Sequence, residues 1–169
     1  MDTLEYILMQ LSSLREQAND TLKDTTDEQL NWAPPGTVNS IKATYLHLVT
    51  CEDIYIQNVL RDQPLVWETG GWGKRIGLEN IPGVGDGWAE IQASNLTLTP
   101  LLEYDRDVQS ATRAYLEKLN DKELTRVVKF YDNDAPAAAV LVFLVTHSSG
   151  HLGEIAAVKG MQGVKGLPY

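Results

Sequence analysis

The sequence predicts an all-α fold, a four-helix bundle forming a single domain over residues 1–169, with a long Gly/Trp-rich loop between its second and third helices. Three observations predict it. Apolar residues recur at i, i+3, i+4 and i+7 in separate stretches, the stripe of a helix that buries one face. A glycine-rich segment over 63–97 interrupts that period. No stretch alternates at period two strongly enough to require a sheet.

The first helix spans 2–24, where Leu4, Ile7, Leu8, Leu11, Leu14, Ala18 and Leu22 share a face and Asp2 with Glu5 forms a loose capping box. Ala33-Pro34-Pro35-Gly36 then stops helical structure, because two prolines remove donors and push their neighbours to extended geometry. Asn39 and Ser40 offer capping oxygens to a second helix reaching about Leu60, lined by Ile41, Tyr45, Leu48, Tyr55 and Val59. From Gln63 to Thr97, Gly70, Gly71, Gly73, Gly77, Gly83, Gly85 and Gly87 break the period, and Trp67, Trp72 and Trp88 give the loop something to pack with. Closure over a site and simple cover of the core both stay open.

Thr99-Pro100 opens the third helix, with Leu101, Tyr104, Val108, Ala111, Tyr115 and Leu119 as its stripe. Residues 124–131 read as irregular or as a short strand. Asp134 to Pro136 start the fourth helix, whose residues 137–146 are apolar almost all round and therefore make it the most buried of the four. Gly163, Gly166 and Pro168 mark its end. The stretch 116–124 echoes 22–30 in setting an aspartate three residues before a leucine, an echo too short to count as a repeat.

Composition excludes several classes. A net charge of −9 with 14 scattered basic residues gives no phosphate-binding face, so no nucleic-acid partner is expected. The lone Cys51 forbids an internal disulfide and suits a reducing compartment. The start of the chain lacks a basic leader, and the longest apolar run, 135–145, is too short to span a bilayer and contains Pro136. A cytoplasmic protein without a membrane partner is the expectation.

The chemistry lies in the three histidines. His147 and His151 stand four residues apart, about 40° apart around a helix and one turn along it. Neutral imidazoles at that spacing can share one divalent ion such as Zn, Ni, Fe or Cu. His47 sits mid-helix at the edge of an apolar face of a segment that packs in the same bundle. Three protein ligands with positions left open describe a catalytic rather than a structural metal site. The zincin motif is excluded, since Ser148 stands where its glutamate base belongs. Glu154, seven residues past His147, projects from nearly the same face. Cys51, four residues after His47, is open to three readings: a fourth ligand, a nucleophile, or the commoner buried inert thiol. Glu52 and Asp53 read as surface groups or as groups behind the ligands. Arg113 reads as solvated or ion-paired, and Tyr45, Tyr55, Tyr104 and Tyr115 as packing.

At these residues the chain resembles the DinB/YfiT-like metalloenzyme superfamily. The resemblance is carried by Asn39-Ser40-Ile41 followed by His47-Leu48, by His147-Ser148-Ser149-Gly150-His151-Leu152-Gly153-Glu154-Ile155, by Leu30-Asn31-Trp32, and by the tail from Gly163 to Pro168. It implies a four-helix bundle, often dimeric, with His47, His147 and His151 as the metal triad. It further implies a thiol-dependent S-transferase or a related hydrolase or isomerase, in which the ion lowers the pKa of a bound small thiol. Relatives often carry glutamine where this chain has Glu154, which adds negative charge near the ion. The expected partners are a small-molecule substrate, a small thiol cosubstrate and a second copy of the chain. The competing expectation is a non-catalytic, stress-associated metal-binding domain acting through protein partners.

Overall fold

A computed structural model of the protein describes residues 3–167; Asp2 of the expected capping box and Pro168 of the tail lie outside the described residues. In chain order, α1 (Thr3–Leu22) is followed by a short α2 (Asp27–Asn31) and by α3 (Ile41–Asp53), which continues with wider π-helical winding over Ile54–Leu60. Three short helices come next: α4 (Val66–Thr69), α5 (Trp72–Ile76) and α6 (Gly87–Ala93). Then follow α7 (Leu98–Leu116), a single turn α8 (Asp121–Leu124), the strands β1 (Val127–Phe130) and β2 (Asn133–Pro136), and α9 (Ala137–Met161).

The chain is all-helical apart from that hairpin. The four predicted stripes are α1, α3, α7 and α9, arranged so that α9 packs on α1 and α3 while α7 packs on α3 and α1. Among the described residues, five short helices and a hairpin accompany these four, so the fold is more than a plain four-helix bundle. The apolar interior has two parts. One gathers Trp67, Trp72, Tyr104 and Leu46 beneath α4 to α6. The other gathers Ile56, Leu116, Leu141 and Leu144 beneath the hairpin.

Several sequence expectations change here. The 63–97 segment is not a loop but α4 to α6 and their turns, because Trp67 and Trp72 are buried and anchor it. Residues 134–136 belong to β2, paired antiparallel with Val127 opposite Pro136 and Phe130 opposite Asn133, so the last helix starts at Ala137. The most buried helix is α3, where twelve of thirteen residues are buried and His47 is the exception. The reason is that α4 and α6 cover the side of α3 that a plain bundle leaves to solvent, whereas one face of α9 stays outside, with Val142 64% exposed. Among the described residues α9 is the one helix long and apolar enough to cross a membrane. It packs inward on α1 and α3, and its middle carries His147, Ser148, Ser149, His151 and Glu154.

Local chemistry sets the boundaries. The echo noted above is real at the level of caps: Thr26 Oγ1 accepts from Gln29 N–H and Asn120 Oδ1 accepts from Glu123 N–H, each opening a short helix. The start of α7 borrows its cap from α2, where Asp27 Oδ1 accepts from Leu98 N–H at 2.9 Å. Ser40 precedes α3 without a side-chain cap bond. Two buried lysines serve helix C-termini, as a cation does against the exposed carbonyls there. Lys159 donates to Thr21 O at the end of α1, and Lys42 to Ser94 O at the end of α6.

The adjacent carboxylates Glu52 and Asp53 are not surface groups. Glu52 accepts from Arg15 at 2.8 Å and from the Thr112 hydroxyl at 2.6 Å. Asp53 is fully buried, and its carboxylate accepts from Val66 N–H, Trp67 N–H and Tyr104 O–H, each at 2.9 Å. It thus caps α4 with the negative charge that a helix N-terminus favours and pins α7 at the same point. Replacing Asp53 by Ala leaves three donors, two of them buried, without this acceptor, so Asp53→Ala is expected to lower unfolding free energy by about 2–4 kcal/mol. Urea titration monitored by tryptophan fluorescence measures it; an unchanged midpoint would contradict this role.

Candidate metal centre

The covering of α3 leaves His47 as its one incompletely buried residue, and that residue faces α9. The rings of His47, His147 and His151 meet there, with centroids 5.2 Å (47–147), 4.9 Å (47–151) and 4.3 Å (147–151) apart. The structure therefore brings together all three histidines that the sequence singled out. They stand between the two halves of the apolar interior: Tyr55 and Phe143 flank His147, and the Trp88 ring lies 4.8 Å from that of His47.

Outer partners orient the rings. His47 Nδ1 lies 3.1 Å from the Gly83 carbonyl, which can only accept, so the proton sits on Nδ1 and Nε2 presents a lone pair. Glu154 Oε2 lies 2.7 Å from His151 Nδ1 and fixes that ring the same way. The sequence had set Glu154 on the face of His147; in the fold it serves His151. Facing that ring, His147 Nε2 is 3.1 Å from His151 Nε2, while His147 Nδ1 is buried without a partner.

Gly83 holds its place for two reasons. Its φ of +67° is one that L side chains rarely adopt, and a Cβ there would meet the Cβ of His47 at 2.7 Å and its Nδ1 at 2.8 Å. Sequence reading named Gly83 and Trp88 only as parts of a glycine- and tryptophan-rich segment; the Pro82-Gly83 pair is the local signal that a turn belongs there. Tyr55 and Phe143 carried no signal beyond core spacing.

Burial dominates the electrostatics. It pushes His147 down to about 4, with the neighbouring rings of His151 and His47 adding to the effect. Burial, and after it the ring of His151, also lowers His47. Both are neutral at pH 7, the state in which imidazole offers a lone pair. Cys51 is buried, with Sγ 3.6 Å from both ring nitrogens of His47, and burial pushes its thiol up to about 11. The compact donor set, with one ligand atom from each residue and all within 4.8 Å, is His47, Cys51 and His147; His151 stands beside it through its contact with His147. Arg113 is elsewhere, exposed and paired with Glu117.

The donor set fits a divalent ion. Two imidazole nitrogens bound to one zinc at about 2.0–2.1 Å lie roughly 3–3.4 Å apart, and the 3.1 Å between His147 and His151 falls in that range. Two oriented rings and one with an orphaned buried nitrogen are otherwise an expensive way to fill an apolar boundary.

Two expectations follow. Gly83→Ala must shift the turn away from His47, costing about 1–3 kcal/mol and displacing the Trp88 ring; equilibrium unfolding and the His47 ring resonances report it, and a wild-type result on both would refute the contact. In chelator-treated protein, the unfolded chain takes up a proton at His147 near pH 6.5, where the folded chain does not until about pH 4. This contribution is therefore complete above pH 6.5 and is lost as pH falls toward 4. The slope of stability against pH in that window should flatten in His147→Gln; an identical slope would show that His147 does not titrate as its surroundings require.

Comparisons with known proteins agree with the fold. The model of the DinB superfamily matches residues 10–155. A conserved protein from Enterococcus faecalis superposes with a TM-score of 0.81 at 17% identity, over 94% of this chain and 96% of the other. A DinB-like protein from Bacillus cereus superposes with a TM-score of 0.69 at 19% identity, over 98% of this chain and 95% of the other. No curated protein matches. With a family model covering most of its length and these two folds alongside, the chain belongs to the DinB superfamily.

Proposed function

We propose that the protein is a metal-dependent enzyme whose divalent ion is held by His47, His147 and His151 and whose substrate is a small electrophilic molecule attacked by a small thiol or by water. The observation that carries this reading is the meeting of three imidazoles from two helices, two of them turned by outer partners so that Nε2 points inward. A divalent ion at that point supplies Lewis acidity and lowers the pKa of a thiol or water beside it.

The chain's own residues do the rest. The Gly83 carbonyl and the Glu154 carboxylate hold His47 and His151 in a single tautomer. Glu154 also places negative charge one ring away from the ion, strengthening His151 as a donor. Trp88, Phe143 and Tyr55 wall the rings with aromatic surface, which lowers the local dielectric and strengthens charge interactions there. The reading brings small-molecule partners, a homodimer and a cytoplasmic setting, the last in keeping with a single unpaired thiol.

One observation favours the second reading, a non-catalytic metal-binding domain acting through partners. The carboxylate beside the rings, Glu154, is engaged by His151 and so is not poised as a general base.

Elemental analysis of protein purified without chelator decides first. About one divalent ion per chain is expected, falling below about a tenth of that in His47→Ala and His147→Ala. Turnover of a model electrophile with a small thiol should fall about 100-fold or more in both variants. A full complement of metal with no turnover across thiols and electrophiles would favour the non-catalytic domain. No metal at isolation and none taken up on addition would overturn both readings.

A further inference from the structure

The sulfur of Cys51 stands where a metal ligand would stand. Cys51 and His47 are one turn apart on α3, so the helix holds their side chains on the same face. Sγ lies 3.6 Å from His47 Nε2. A thiolate and an imidazole sharing one tetrahedral zinc, with bonds of about 2.3 Å and 2.0–2.1 Å, lie roughly 3.5 Å apart. Cys51, His47 and His147 also form the compact donor set, and His151 lies against both of its imidazoles. Cys51 belongs to the same buried cluster as Ile56, Leu141 and Leu144, and its thiol also shares a hydrogen bond with Tyr55. The distance to the nitrogens, not the burial, distinguishes this thiol.

We infer that Cys51 is itself a ligand of the metal, so that the centre combines imidazoles with one protein thiolate. The inference rests on the metal reading of the same site and deepens it. On binding, the S–H bond gives way to a metal–sulfur bond and the proton leaves to solvent; no oxidation or reduction is involved. Three consequences separate this from a centre of imidazoles alone. A soft donor turns the site toward zinc and cobalt and away from magnesium and manganese. The thiolate cancels one of the ion's two positive charges. It also takes one coordination position, so that a small thiol or water would bind at a remaining one.

Cobalt(II) added to the metal-free full chain tests this. The parent is expected to show both visible ligand-field bands and a near-ultraviolet sulfur-to-cobalt charge-transfer band. Cys51→Ser should lose the second while keeping the first, with zinc affinity reduced by at least about tenfold. X-ray absorption of the zinc-loaded parent should contain a sulfur shell at about 2.3 Å, which keeps the question answerable if the serine variant misfolds. Ligand-field bands without a charge-transfer band, together with a nitrogen/oxygen shell alone, would overturn the inference and leave the metal reading standing. Failure of the parent to take up cobalt or zinc at all would overturn both.

Discussion

A single buried carboxylate organises this fold. Asp53 ends the regular part of α3, and its two oxygens serve three donors from two other parts of the chain, α4 and α7. Burial, and after it the adjacent Glu52 carboxylate, pushes the group up, and the three hydrogen bonds offset this only in part, so the carboxylate and its donors are interdependent. From this anchor the following segment is laid across α3, Trp67 and Trp72 fill the space against Tyr104, and the turn at Gly83 arrives over His47. The site is thus a product of a remote polar anchor as much as of its own residues. The next residue down the chain from Asp53 begins the π-helical stretch Ile54–Leu60, and such wide winding commonly accompanies functional sites in helices.

What the sequence made legible was whatever follows from periodicity and spacing. The stripes of α1, α3, α7 and α9 could be read because a 3.6-residue repeat and a buried face are the same fact. The histidine pair on α9 was legible because four residues make one turn, and His47 because a polar ring beside an apolar face needs a reason. The rest was hidden for physical reasons. The helices α4 to α6 are too short for a period, and their order comes from tryptophans meeting residues far along the chain. Val127 to Phe130 suggested extended structure, but the partner strand at 133–136 is polar, and only pairing makes it a strand. Asp53 looked like any acidic residue, since a charge at a helix end is ordinarily solvated. Nor could the tether from Glu154 to His151 rather than His147 be read, because it turns on a three-residue reach in one rotamer.

The electrostatic character of the centre runs against that of the molecule. The chain carries nine more acidic than basic groups, yet its three imidazoles meet at an aromatic boundary, where burial and the neighbouring rings keep His47 and His147 uncharged. Packing basic rings this close has no merit as a charge arrangement. It becomes sensible only for neutral rings offering lone pairs, with the neighbouring sulfur as a further soft donor, and the outlying Glu154 correcting the balance from one side.

The ammonium of Lys159 donates to the carbonyl of Thr21, across 138 residues of chain. That contact joins the first long helix to the last, and the last also brings two of the three imidazoles. Without α9, then, α1 and α3 lack the helix that both pack against, and His47 stands apart from the other two rings. Packing of α3 on α7 and on the short helices needs none of α9, but the histidine cluster is complete only when α9 docks on α1 and α3, so it depends on the longest-range contacts of the fold.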